Sequence, residues 1–394
     1  MTLAARGSFW TAASVAGLAL WASGAPTVVY PLYAEEWQLQ PSVTTAIFAI
    51  YPIVLVPVLI IFGNLSDVIG RRAVILMGLA ALGAGSLAFG LAPDLTWVFL
   101  GRALMGVGVG LALSPATAAM VEFGGPDGAR RASSATTAAT ATGLALATLV
   151  GGALVQYAPN PMHLSFWVLT AVTAVVFAFT ALLPRHTRDE AAGPWRPRLP
   201  RMPRDERHSF IAGTLGISAA YAMGAIFLAL GAQIARDLVR SDNAFVDGAI
   251  ISLSAVAIGV VAVLARPLRP RLAVTLGPVL AIAGLGLLIL AGLGHSLPAF
   301  VASSLVAGAG YSLMFSGGLG LVTMSAPAHH RAGVISAAYV VGYLVQAVAA
   351  LALGVLATAS GLQLALDVGA PVILLLGVAA LVFANAPRRV PVTP

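Results

Sequence analysis

Charged side chains are scarce in this chain, and their positions limit the chemistry it can do. Arg102 is the only arginine inside a long apolar run. A cation in such a setting is costly unless it faces a cavity or a partner. Asp67 lies in a short polar break, Gly63-Asn64-Leu65-Ser66-Asp67-Val68-Ile69-Gly70-Arg71-Arg72, between two apolar runs. Its carboxylate can accept charge-assisted hydrogen bonds from the neighbouring arginines. No carboxylate falls in the middle of a run: Asp67 and Glu122 sit near one set of ends, Asp94 and Asp247 near the other. An embedded carboxylate is the usual proton carrier in a membrane; here any group that changes protonation would have to be one near an end, such as Glu122, Asp94 or Asp247, with Arg102 able to lower a neighbour's pKa by charge attraction. Polar aromatic and amide groups supply the other chemistry. Tyr339, Tyr343 and Gln346 recur at i, i+4 and i+7 and share one helix face.

The elements that must carry these residues are membrane helices. The chain has 394 residues, 59% of them hydrophobic and only 9% charged. Twelve runs are apolar enough to cross hydrocarbon, at 8–33, 43–63, 73–92, 95–120, 132–157, 163–183, 209–235, 246–265, 272–292, 297–324, 332–357 and 362–385. Helices close their own backbone hydrogen bonds in lipid, and the runs lack the alternation of barrel strands. The first run is too long for a cleaved signal peptide and leads into Pro26 and Pro31. The expected fold class is therefore an all-α membrane protein. A proline- and arginine-rich stretch at 184–208 divides it into bundles at 1–183 and 209–394.

Charge reports topology. The net charge is +7, and lysine is absent. With a cytoplasmic N-terminus, eighteen of the 21 basic residues fall in cytoplasmic segments, as the positive-inside bias requires. Both termini are then expected inside. The positive charge reads as topological, so no nucleic-acid partner is expected.

Other chemistries lack their residues. Without lysine there is no phosphate-binding loop of the glycine-rich type with its lysine. Without cysteine there is no disulfide or thiolate metal site. No His or carboxylate pair stands at metal-ligand spacing within a helix. No catalytic constellation is visible, so neither an enzyme nor a cofactor is expected.

The spacing Gly63-x-Leu65-x-Asp67-x-x-Gly70-Arg71-Arg72 resembles the signature loop between helices 2 and 3 of the major facilitator superfamily. The resemblance implies two pseudo-symmetric six-helix bundles and a loop latching them together on the cytoplasmic side. Val68 and Val74 stand where further basic residues often occur. Arg102-Ala103-Leu104-Met105-Gly106 is similar to the family's Arg-x-x-x-Gly motif in helix 4, associated with proton coupling. Gly151-Gly152 resembles the end of the helix 5 motif of twelve-helix drug–proton antiporters, although Thr148 replaces the motif's proline. Pro26 and Pro31 resemble the proline pair ending helix 1 in that subgroup. Internal symmetry agrees: Gly106-x-Gly108 and Ser114 recur as Gly308-x-Gly310 and Ser316.

The resemblance implies alternating access by a secondary active transporter in a bacterial plasma membrane, acting as a monomer on a small amphipathic organic molecule, with proton-coupled efflux. An uncoupled facilitator or importer of a neutral metabolite is the alternative. Tyr30, Tyr51, Tyr221, Gln233, Tyr311, Tyr339, Tyr343 and Gln346 would line its cavity, and Gly106, Gly151 and Gly152 would serve helix packing.

Overall fold

In the computed structural model, residues 3–184, 207–325 and 331–386 are described, and they contain helices and turns but no strand. Almost all of the 184–208 stretch lies outside these residues. Twelve long helices follow one another. In the first bundle these are α1 (Ala5–Gly24), α2 (Pro41–Phe62), α3 (Arg71–Gly90), α4 (Leu95–Phe123), α5 (Gly128–Tyr157) and α6 (Pro161–Ala181). In the second they are α7 (Arg207–Leu238), α8 (Ala244–Leu264), α9 (Pro270–Leu293), α10 (Leu297–Ser325), α11 (Arg331–Ser360) and α12 (Leu362–Asn385). Among the described residues, eleven helices, α2 to α12, are long and apolar enough to span a membrane. Helix α1 has 20 residues but carries Arg6, Ser8, Thr11, Ser14 and Ser23, which dilute its apolarity.

One expected element is corrected. The run at 8–33 is not a single helix. Helix α1 ends at Gly24, a turn follows, and a second short helix covers Tyr30–Glu36. The cause is Pro26, which has no N–H to continue the ladder. Helix α7, the counterpart of α1, is irregular in another way. It passes through two wide turns, Ile226–Leu230 and Ile234–Leu238, of the i→i+5 type that marks functional sites in many helices.

Helix α5 packs on α8, and α2 on α11, joining the bundles. The surface is apolar around the girdle, with Val175, Val256, Leu290, Val348 and Leu375 each more than 45% exposed. Such a surface is stable against lipid and would associate in water. The internal repeat holds in three dimensions. A Cβ on Gly106 would lie 2.7 Å from the Tyr51 carbonyl oxygen, and one on Gly308 would lie 2.5 Å from that of Ser254. Thus α4 meets α2 as α10 meets α8.

Candidate functional site

The site begins with a defect in α1. Pro26 cannot donate to the carbonyl of Ala22, four residues earlier. The Thr27 N–H turns to Gly24 instead (3.0 Å), which frees the Ser23 carbonyl as well. Arg102 fills this gap from α4: its Nη1 donates to Ala22 O at 3.3 Å and to Ser23 O at 3.0 Å. A guanidinium at a helix C-terminus also complements the negative end of the helix dipole. The side chain is 0% exposed. Its charge lies over two aromatic faces of α2, 4.6 Å from the Tyr51 ring centroid and 5.5 Å from that of Phe48. Such contacts are worth about 2 kcal/mol when desolvated.

The Arg-x-x-x-Gly spacing explains itself here. Gly106 has no side chain, so α4 touches the α2 backbone at Tyr51. One turn earlier, Arg102 then reaches the Tyr51 ring. Arg102 thereby ties α2 to the same break, through the Tyr51 ring on one side and the Ala22 and Ser23 carbonyls on the other. Two nitrogens of Arg102, Nε and Nη2, are buried without a hydrogen-bond partner, as is the hydroxyl of Tyr30. Unpartnered donors of this kind are costly in a dry interior, and here they converge on one buried cation.

Across the bundle interface lies a cluster of tyrosines. Tyr221 of α7 packs against Tyr343 of α11 at 4.8 Å between centroids, against Phe315 of α10 at 5.7 Å and against Tyr311 at 6.4 Å. Phe315 in turn stacks with Tyr339 at 6.1 Å. Arg102 and Tyr51 thus meet in the first bundle, and Tyr221 and Tyr343 meet in the second. Gln346 is buried one turn along α11, and Gln233 lies between the two wide turns of α7. Sequence reasoning overlooked Phe48 and Phe315 because only polar groups were sought. Phe315 sits four residues after Tyr311 and shares its face, which was the available signal.

The remaining candidates stand at the two ends of the molecule. At one end, Arg71 is held by Asp67, by the Ser66 hydroxyl at 2.6 Å and by Glu122 at 3.0 Å. Arg72 donates to Leu183 O at 3.1 Å. Gly70 has φ +93°, a conformation that disfavours other residues, and Gly63 ends α2. These bonds stay within the first bundle. Asp94 is a helix cap: its carboxylate accepts from the N–H groups of Thr96 (2.8 Å) and Trp97 (3.3 Å).

The opposite end joins the bundles. Arg236 pairs with Glu35 at 2.7 Å, Ser42 N–H donates to Thr358 Oγ1 at 2.9 Å, and Ala244 N–H donates to Gln156 Oε1 at 2.8 Å. Nearby, the Thr27 hydroxyl donates to Leu228 O at 2.9 Å, linking the α1 break to the first wide turn of α7. Gly151 packs on Val28, and Gly152 faces Gly248 of α8 with the backbones almost touching.

A family model described as Major Facilitator Superfamily matches residues 10–289. The chain belongs to the Major Facilitator Superfamily. It is 34% identical over 174 residues to the multidrug efflux pump LfrA of Mycolicibacterium smegmatis, covering 42% of this chain and 33% of that protein. It is 33% identical over 132 residues to the puromycin resistance protein pur8 of Streptomyces alboniger, covering 33% of this chain and 26% of that protein. The matched stretches thus span a third or less of these relatives. Among solved structures, the nucleoside transporter NupG has a TM-score of 0.77 at 14% identity, covering 96% of this chain and 99% of its own. A bacterial homologue of the lysosomal transporter Spinster gives 0.74 at 15% identity, covering 95% of each chain. A peptide transporter solved with sulfate gives 0.77 at 19% identity, covering 96% of this chain and 93% of its own. These three establish the superfamily's two-bundle fold for this chain. Family and fold are those of integral membrane transporters of small molecules, not of enzymes.

Proposed function

We propose that the chain exports a small amphipathic organic molecule by alternating access, driven by proton entry. The observation that carries this reading is the aromatic cluster of Tyr221, Tyr311, Phe315, Tyr339 and Tyr343 in the second bundle, with Arg102 against Tyr51 in the first. Such groups offer apolar, stackable faces and a few hydroxyls to a molecule held between two bundles that rock about it. Such a lining suits an amphipathic molecule. The likeness to drug and puromycin resistance proteins supports the same substrate class.

In this reading the Asp67 end faces the cytoplasm, with both termini, and the Glu35 end faces outward. The contacts across the Glu35 end then correspond to a state closed to the outside. The 1–183 and 209–394 bundles move as units about the 184–208 linker, and one copy forms the whole pathway.

One observation favours an uncoupled facilitator or importer of a neutral metabolite. Arg102 is bonded to backbone carbonyls, not to a carboxylate, so the only buried mid-helix charge among the described residues has no titrating partner within bonding distance. The test is substrate flux in proteoliposomes while the pH gradient is collapsed at constant membrane potential. Loss of accumulation supports coupled export, whereas unchanged rate and final accumulation support the facilitator.

A further inference from the structure

A cavity of about 320 Å³ opens at the Glu35 end, away from the tyrosine cluster. Val28, Pro31, Leu32 and Val155 of the first bundle and Ala232 of the second give it apolar walls, and Asp242 and Asp247 give it carboxylates. Asp247 is only 6% exposed, and its Oδ1 has no hydrogen-bond partner. Ser241 lines the same cavity, and that oxygen still has no hydrogen-bond partner. A carboxylate in the first turn of α8 complements the helix dipole, yet this does not explain an unpaired oxygen lining a cavity. Arg236 also lines the space, but its charge is engaged by Glu35 at 2.7 Å. Neither Asp242 nor Asp247 is ion-paired with Arg236, the one cationic residue of the lining.

We propose that this cavity binds a small organic cation, with Asp247 as the charge partner and the apolar walls holding the hydrocarbon part. The volume is at the low end of ligand sites, roughly 300–1,000 Å³, and suits a one-ring ammonium better than a multi-ring drug. Both bundles line the cavity, so it exists in this form only while their Glu35 ends are together. A ligand that binds one conformation preferentially shifts the population toward it. The bound cation thus holds the bundles closed at this end and slows the transport cycle. The proposal rests on the alternating-access reading for that last step alone; the binding site stands without it.

The test uses purified full-length protein and benzyltrimethylammonium, followed by calorimetry. Saturable one-to-one binding is expected. It should weaken at least tenfold in Asp247→Asn, less in Asp242→Asn, and be largely kept in Asp247→Glu. Benzenesulfonate, an anion of similar size, should not compete. Equal affinity in wild type and a folded Asp247→Asn protein would overturn the site. Should Asp247→Asn fail to fold, binding to wild type that benzenesulfonate displaces would overturn it equally. Conformational coupling is read separately, from disulfide formation in a Ser42→Cys/Thr358→Cys variant. Saturating benzyltrimethylammonium should speed cross-linking several-fold, and an unchanged rate would overturn the coupling while leaving the binding result intact. Neither readout depends on which substrate is carried, so a failed flux assay counts against the proposed function and not against this site.

Discussion

Pro26 and Arg102 are complementary. The proline strips Ala22 O of its helical donor, and the guanidinium on a neighbouring helix restores it at 3.3 Å. A lone buried arginine would be costly in hydrocarbon, and so would a bare carbonyl pair. Each offsets part of the other's penalty, although Nε and Nη2 of Arg102 stay unpartnered.

Replacing Arg102 should therefore damage both stability and transport. Arg102→Ala leaves two carbonyls unpaired, at about 1–3 kcal/mol for each buried group. Transport should fall at least tenfold, and the detergent-solubilised protein should melt earlier. Arg102→Lys should rescue poorly, because an ammonium lacks the planar fork and ring stacking of the guanidinium. Near wild-type flux in the alanine variant would refute a role for this residue.

The loop at the Asp67 end makes a different prediction. Asp67→Asn removes the charge that Arg71 shares with Glu122. Because Asp67 and Glu122 are exposed, the stability change should stay below about 1 kcal/mol. Expression should persist while transport drops several-fold. Labelling of single cysteines placed near Asp67 should change, against a background that contains no native cysteine. Wild-type labelling together with wild-type flux would count against a latch.

Much of the architecture was legible in the sequence. Spans, loops and the Tyr339–Tyr343–Gln346 face follow from local hydropathy and helical period, so short windows suffice to find them. The site itself was less legible. Arg102 stood out as a charge, but its partner Ala22 lies 80 residues away, and Glu35 lies 201 residues from Arg236. Nothing local announces such pairs. Asp94 is legible from its neighbours alone, since its place just before Leu95 is that of a helix cap. The twelve runs were well placed except at 8–33, where continuous apolarity masked what Pro26 does to the backbone.

The tyrosine cluster should govern substrate affinity. Tyr221→Ala removes the ring that touches Tyr343, Phe315 and Tyr311 together. KM should rise by roughly tenfold, matching about 1–1.5 kcal/mol of lost stacking. Tyr221→Phe keeps the ring and should lose much less. Equal KM for all three proteins would place the substrate elsewhere.

The α5–α8 crossing offers a steric test. A Cβ at Gly248 would lie 2.1 Å from the Thr148 carbonyl oxygen, which is backbone and cannot swing aside. Gly248→Ala should push the bundles apart at the Glu35 end, raise labelling there and cut transport several-fold. Gly286→Ala is the control. Nothing lies within 4 Å of its new methyl group, so flux should be unchanged and stability slightly higher.

That same crossing sets how the molecule can move. Where Gly152 meets Gly248, two backbones face each other with no side chains interlocked between them. Nothing must be unthreaded before the helices rotate, so the contact behaves as a smooth bearing. Resistance to rocking then comes from the Glu35–Arg236 pair and the hydrogen bonds of Thr27, Ser42 and Ala244 across the bundles. Bonds of this kind are worth about 1 kcal/mol each. A few such bonds hold the balance between the two postures, and the binding energy of one small molecule is enough to tip it.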